Sequence, residues 1–274
     1  MSMTGIPDSM RVAAVQTVSR SDVEANLAAV EPLIVAAREQ GAVLVLLPEY
    51  FGIFGARATD KVDAREPDGH GRQQDFLSRV AREQRIWLIG GTVPIATDDP
   101  ARVRSASLVF DSQGRRVARY DKIHLFAFSQ GDERYDEAKT IECGQAPVSF
   151  DSPFGRVGLS VCYDLRFPEL YRSYRDLALI VVPSAFTAVT GAAHWHVLLK
   201  ARAIENQCYV LAAAQGGTHD NGRRTYGHSV LIDPWGTVVA ERAEGPGVIV
   251  GDIDASRLAQ VRRDLPALSH RRLG

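Results

Sequence analysis

Three stretches of the chain are largely apolar and end at a polar or reactive residue. Ala42–Leu47 (AVLVLL) ends in Pro48-Glu49, Arg156–Val161 (RVGLSV) ends in Cys162, and Leu177–Ala185 (LALIVVPSA) carries Ser184. A strand with one wet face alternates apolar and polar residues, whereas runs like these are buried on both faces, as in the parallel centre of a sheet covered by helices. Arg156–Leu170, RVGLSVCYDLRFPEL, is where the others converge. Its strand is followed by PELYRSYRDLA, a helix with Pro168 at its first position, and Cys162 sits in the joint. The N-terminus of that helix offers positive potential and free N–H groups, conditions that favour a thiolate.

In chain order, Arg11–Thr17 is a first strand, and Ser21-Asp22-Val23-Glu24 is a capping box that opens a helix. That helix has Leu27, Val30, Ile34 and Ala37 as its apolar stripe, a kink at Pro32 and its end at Gly41. Tyr50–Gly71 is polar and Gly-punctuated and reads as a loop, after which a helix turns Phe76, Leu77 and Val80 inward. IWLIGGTVPI reads as one strand. Ala101–Phe110 and Arg115–Tyr120 form a hairpin that delivers Asp121-Lys122-Ile123-His124. Phe126–Lys139 reads as a long irregular segment, and its aromatic content favours function. PVSF and RVGLSV flank a turn, the helix His194–Asn206 leads into CYVLAAAQ, and GHSVLID with TVVAER makes a hairpin around Asp233-Pro234-Trp235-Gly236. GVIVGDID and a helix over Ser256–Leu265 close the chain. Strand–helix–strand units alternating with hairpins predict an α/β chain of mixed sheets packed face to face, with helices outside.

The 274 residues contain no Pro/Gly/Ser-rich linker, so one domain spanning 1–274 is expected. A net charge of -1, with both signs interspersed, leaves no electrostatic footprint for nucleic acid or an anionic membrane. Met1–Met10 lacks a basic segment followed by an apolar one, and no apolar run approaches bilayer length, which predicts a soluble, cytoplasmic protein. Cys143, Cys162 and Cys208 are far apart and outside CxxC spacing, arguing against a disulfide framework or a zinc knuckle. Neither GxGxxG nor GxxxxGK[ST] occurs, which removes dinucleotide and P-loop readings.

Singly, the reactive residues have ordinary explanations. A free cysteine is more often core packing than nucleophile, and a lysine is ordinarily at the surface. Glu49 is harder to dismiss, because an acid directly after a buried strand has to be solvated or paired. Taken together, LLPEYF around Glu49, YDKIHLF around Lys122 and GLSVCYDLRFPEL around Cys162 resemble the nitrilase, or carbon-nitrogen hydrolase, superfamily. The likeness runs from AVQT to the DPWG turn and the final helix. It implies a four-layer αββα sandwich of two mixed sheets, no metal or organic cofactor, and a homodimer or larger assembly. It also implies a triad with Glu49 as general base, Lys122 as cationic stabiliser and Cys162 as nucleophile, with Glu137 in the place of the family's second active-site glutamate. TGAAHWHVLLKARAIENQCYVLAAAQ and YGHSVLIDPWGTVVA resemble the Nit branch. That likeness implies an amidase releasing ammonia from a small carboxylated α-keto amide through a thioester. Deaminated glutathione is the first candidate substrate; α-ketoglutaramate, nitriles and N-carbamoyl amino acids are the alternatives.

The residue types suit such chemistry. A neutral thiol is a poor nucleophile. Glu49 can take its proton, return it to the departing nitrogen and then activate water. Lys122 and the backbone N–H of Tyr163 can face the developing oxyanion. Arg166 suits a substrate carboxylate through its planar fork, or an internal pair with Asp164 or Glu169. Thr187 and Thr190 are assigned to substrate binding. Substrate choice is expected in their segment, Phe186–Ala193, and in the loops Phe51–Gly71, Phe126–Glu137 and Gly216–Tyr226. His194-Trp195-His196 looks like a metal pair, but residues two apart on a helix do not share a face, so no metal site is expected. His124 and His228 read as buried, hydrogen-bonded histidines and Trp235 as packing at a turn. The reading from a different class is a binding or scaffold protein with residual chemistry.

Overall fold

The computed structural model of the protein describes residues 8–272 apart from 131–132. Of Met1–Met10, only the last three residues fall within it. The chain opens with β1 (Ser9–Gln16), α1 (Val23–Glu39) and β2 (Leu44–Leu46). A long excursion containing the one-turn helix α2 (Asp60–Asp63) leads to α3 (Arg72–Gln84), β3 (Trp87–Ile89) and β4 (Val93–Ala96). The hairpin β5 (Val103–Phe110) and β6 (Arg116–Asp121) follows, then a small one, β7 (Ala127–Gln130) and β8 (Glu133–Asp136). The second half supplies β9 (Ser149–Ser152), β10 (Gly155–Leu159), α4 (Pro168–Ser173), β11 (Leu177–Ser184) and α5 (Ala188–Asn206). It ends with β12 (Tyr209–Ala214), β13 (Ser229–Ile232), β14 (Val238–Arg242), β15 (Gly247–Asp254) and α6 (Ala255–Asp264).

Two mixed sheets result. One runs β15-β1-β2-β3-β5-β4, with β6 also on β5; the other runs β14-β13-β12-β11-β10-β9. The apolar runs fall on the parallel centres, β1-β2-β3 in one sheet and β10-β11-β12 in the other. Because successive side chains on a strand face opposite ways, the first sheet divides its apolar residues between two cores. Val12, Ala14, Leu44 and Leu46 meet the second sheet in the same core as Leu159 and Leu211. Ala13, Val15, Val45 and Leu47 pack beneath Val30 and Ile34 of α1 and Phe76, Leu77 and Val80 of α3. On the far side of the second sheet, Leu170 and Tyr171 of α4 and Trp195 and Leu199 of α5 complete the layer order α, β, β, α.

Several local expectations are revised. α1 is capped by Asp22, whose side chain accepts from the Ala25 N–H at 2.7 Å, while Ser21 turns to Asp220; the helix continues through Pro32. IWLIGGTVPI is two strands, laid end to end along β5. Gly91 breaks it, with φ +45° and so little room that a Cβ would lie 1.9 Å from the Pro48 carbonyl oxygen. Tyr50–Gly71 contains α2, and α4 stops at Ser173, leaving Leu177 and Ala178 to β11. Phe126–Lys139 is a hairpin followed by a 3₁₀ turn, held by the cross-strand pair Phe128–Tyr135 and by Phe126 against both rings. α5 begins at Ala188 instead of His194, because Thr187 caps it by accepting from the Thr190 N–H at 3.2 Å. Gly191 sits within this first stretch where Tyr226 packs, 2.3 Å from where a Cβ would be.

Gly91 therefore sets the close approach between the β3–β4 junction and the Pro48-Glu49 peptide. Gly91→Ala is expected to lose at least about 2 kcal/mol through its positive φ and the backbone clash. Calorimetry should show this as a fall of roughly 4 to 8 °C in Tm.

Candidate active site

The ends of four strands bring the reactive side chains together. Glu49 follows β2, Lys122 directly follows β6, and Cys162 lies just beyond β10 with Ala185 beyond β11. Lys122 is fully buried; its Nζ lies 2.8 Å from Glu49 Oε1 and 2.7 Å from Glu137 Oε2. Glu137 opens the 3₁₀ turn after β8 and also accepts from the Tyr50 hydroxyl and the Phe126 N–H, each at 2.7 Å. Glu49 is held from behind by Gln215, whose Nε2 donates to the Glu49 carbonyl at 2.9 Å. The Cys162 thiol, the Glu49 carboxylate and Ala185 line one cleft.

Cys162 starts a 3₁₀ turn that runs to Arg166, and it adopts φ +49°, a left-handed conformation uncommon for a side chain. Asp164 holds this elbow. Fully buried, it accepts from the Val161 N–H at 2.8 Å, the Tyr120 hydroxyl at 2.7 Å and the His124 N–H at 3.0 Å, with His124 Nδ1 at 2.7 Å. Tyr163 is the second residue of the turn, a position whose N–H has no acceptor within the turn itself.

Electrostatics divide the labour between the two glutamates. Burial raises the Glu49 carboxyl above the usual range, against the pull of Lys122. Burial also pushes on Glu137, but Lys122, Lys61 and the Phe126 N–H outweigh it and hold that carboxyl below the usual range. For Lys122 burial favours the neutral form, and the two glutamates overcome it, leaving the ammonium well above its usual value. The surroundings thus favour the charged form of Glu137 and disfavour that of Glu49. Burial, then the neighbouring Glu49 charge, push the Cys162 thiol well up, opposite in direction to the expectation at the strand–helix joint. A helix of six residues starting at Pro168 does not offset that.

A cleft of about 340 Å³ leads to the sulfur. Arg166, Phe186, Thr187 and Thr190 line it together with Tyr163. The Arg166 guanidinium lies over the Tyr163 and Phe186 rings at 5.7 and 5.3 Å and bonds His194 Nδ1 at 3.2 Å. It pairs with neither Asp164 nor Glu169 among the described residues. The Thr187 and Thr190 hydroxyls bond each other at 2.9 Å, so both finish the cap of α5 as well as facing the cleft.

Among the described residues, the grouping with metal-ligand geometry is His196, His228 and Glu241, with ligand atoms within 4.8 Å of one another. Glu241 Oε1 already meets both imidazoles, at 2.8 and 2.5 Å, and none of the three lines the cleft. His196 therefore pairs across to β13 and β14 instead of with His194. His228 is only half-buried and stacks on Tyr226, and Trp235 is exposed at 54%, so it is not packing. Reading the sequence missed Tyr50, Gln215 and the inward role of Asp164. Tyr50 adjoins Glu49 and Asp164 adjoins the Cys162 joint, which was the available signal; Gln215 had none.

A family model described as carbon-nitrogen hydrolase matches residues 11–263. The chain belongs to the carbon-nitrogen hydrolase family. It is an enzyme acting on non-peptide carbon–nitrogen bonds. It is 42% identical over 266 residues to a deaminated glutathione amidase of Synechocystis, covering 94% of this chain and 97% of that relative. It is 40% identical over 270 residues to the deaminated glutathione amidase of Homo sapiens, covering 95% of this chain and 82% of that one. The crystal structure of the C. elegans NitFhit protein superposes with a TM-score of 0.90 at 39% identity, covering 97% of this chain and 66% of that one. The four-layer arrangement of two mixed sheets is thus that of this family. Among the described residues, no helix is long and apolar enough to cross a membrane.

Asp164 lies under the elbow, and its replacement leaves buried donors unpaired at about 1 to 3 kcal/mol each. Asp164→Ala should lower the unfolding free energy by about 3 kcal/mol or more in denaturant titration. A loss under about 1 kcal/mol would mean that Val161, Tyr120 and His124 find other partners.

Proposed function

We propose that the chain is a cysteine-dependent amidase for small carboxylated α-keto amides, with deaminated glutathione as substrate. The observation that carries this reading is Lys122, buried between Glu49 and Glu137, with Cys162 lining the same cleft as both glutamates. The identity of about 40% to deaminated glutathione amidases over nearly the whole chain supports the substrate.

Glu49 takes the thiol proton as the Cys162 sulfur adds to the amide carbonyl. Lys122 Nζ and the Tyr163 N–H meet the oxyanion that forms. Collapse breaks the carbon–nitrogen bond as Glu49 passes its proton to the departing nitrogen, leaving a thioester on Cys162. Glu49 then deprotonates a water that attacks the thioester, and the second collapse returns the sulfur and its proton. Glu137 keeps Lys122 charged and directed. Arg166, free of Asp164 and Glu169, takes the keto-acid carboxylate, with Thr187 and Thr190 along the same wall. Deaminated glutathione has no primary amide, so its leaving group is the amine of cysteinylglycine; ammonia leaves only from a primary amide such as α-ketoglutaramate. Val189, Val197 and Ile204, exposed along α5, support a homodimer. The free cysteines support a reducing, cytoplasmic compartment.

Turnover of deaminated glutathione, α-ketoglutaramate, a nitrile and an N-carbamoyl amino acid, followed by cysteinylglycine or ammonia release, tests the assignment. Deaminated glutathione should lead. Cys162→Ala is expected to lose about 10⁴-fold or more, and Lys122→Met about 10² to 10³-fold, in kcat. Silence of the wild type on all four amides and nitriles would instead favour a scaffold role. Because Glu49 acts ionised and its carboxyl is raised, kcat/KM should be full above that elevated pKa and fall as pH drops through it. The acid limb should therefore lie above the roughly 4.3 of an unperturbed glutamate. A limb at or below that value would take the base role from Glu49.

A further inference from the structure

Beside the cleft at Cys162 lies a second, wider cavity, and the two share Tyr50, Phe126, Glu137 and Arg223 as common wall. The wider cavity has a surplus of cations. Arg57, Lys61, Arg134 and Arg223 line it, against Asp136 and Glu137. Arg57 is taken by Asp60 and Asp63, Glu137 by Lys122 and Tyr50, and Asp136 faces Lys139 at 3.9 Å. Lys61, Arg134 and Arg223 form no ion pair and donate no side-chain hydrogen bond among the described residues.

Aromatic faces, not acids, hold two of them in place. The Arg223 guanidinium lies 4.2 Å from the Tyr135 ring and 5.2 Å from the Phe54 ring, and Lys61 Nζ lies 5.1 Å from the Tyr50 ring. Such contacts orient a cation while leaving its N–H donors uncommitted. Burial pushes the Lys61 ammonium down, against the pull of the nearby Glu137 and Glu49 charges. The position of this cavity relative to the reaction is set by Glu49. The departing nitrogen faces the carboxyl that protonates it, and Tyr50, next in the chain, forms the wall between cleft and cavity. The acyl half lies on the Arg166 side.

We propose that this second cavity is the leaving-group site: Lys61, Arg134 and Arg223 receive a carboxylate on the departing amine, so that the enzyme selects amides anionic on both sides of the bond it breaks. This rests on the amidase reading above. A primary amide brings nothing to the side-chain donors of these cations; a leaving group ending in a carboxylate would pair with them. The segments Phe51–Gly71, Phe126–Glu137 and Gly216–Tyr226 each contribute one of the three unpaired cations to it.

The test compares kcat/KM for deaminated glutathione with kcat/KM for α-ketoglutaramate in wild type, Arg223→Gln and Arg223→Lys. The ratio should fall about tenfold or more in Arg223→Gln, the worth of one charged hydrogen bond, and partly recover in Arg223→Lys. An unchanged ratio, whether both rates hold or both fall together, overturns the proposal. Calorimetric titration of the wild type with cysteinylglycine and with its C-terminal amide reads the same site without turnover. The acid should bind about tenfold or more tighter, with the difference lost in Arg223→Gln; equal binding, or none, overturns it. Failure of turnover on both amides with the acid still preferred would remove the amidase reading and leave the anion site standing.

Discussion

A fully buried ammonium between two carboxylates is the constraint on which the rest of this molecule depends. Taking Lys122, Glu49 and Glu137 out of water costs several kcal/mol for each ion, and only close, well-directed pairing offsets it. The three residues come from different parts of the chain, the end of β2, the end of β6 and the turn after β8. The cluster can be satisfied only when both the first sheet and the β7–β8 hairpin are in place. Removing any one member strands a buried charge.

The same burial acts on the groups around the cluster: it raises the Cys162 thiol and the Glu49 carboxyl alike. Asp164 contributes by geometry. It ties Val161, Tyr120 and His124 to the elbow and keeps the sulfur at the mouth of the cleft in an unfavourable backbone conformation.

What could be read from residues alone followed the range of the forces involved. The apolar runs identified the parallel centres, and Glu49, Lys122 and Cys162 stood out because each interrupts or ends a strand. Misreadings arose where a distant partner decides the local structure. Gly91 splits a strand because of the Pro48 carbonyl, and the β7–β8 hairpin depends on Phe126, Phe128 and Tyr135 gathering on one side. α5 extends back to Ala188 because Thr187 caps it and Tyr226 fits against Gly191. For Arg166 the sequence left open the cleft or a pair with Asp164 or Glu169, and the 3₁₀ turn decides it by sending Arg166 to the cleft and Asp164 into the core. Lys61 and Arg223 carried no local signal, since their meeting is a property of loops.

The strand ends and the loops stand in different mechanical relation to the fold. Glu49, Lys122 and Cys162 sit within three residues of strands laced into the sheets, whereas the surrounding walls of the wider cavity hang from connections that add little to either core. An insertion or exchange in those connections alters what the enzyme meets without disturbing how it reacts. The architecture therefore separates an inherited reaction from an adjustable clientele, and loop grafting between relatives is a natural route to new amide hydrolases.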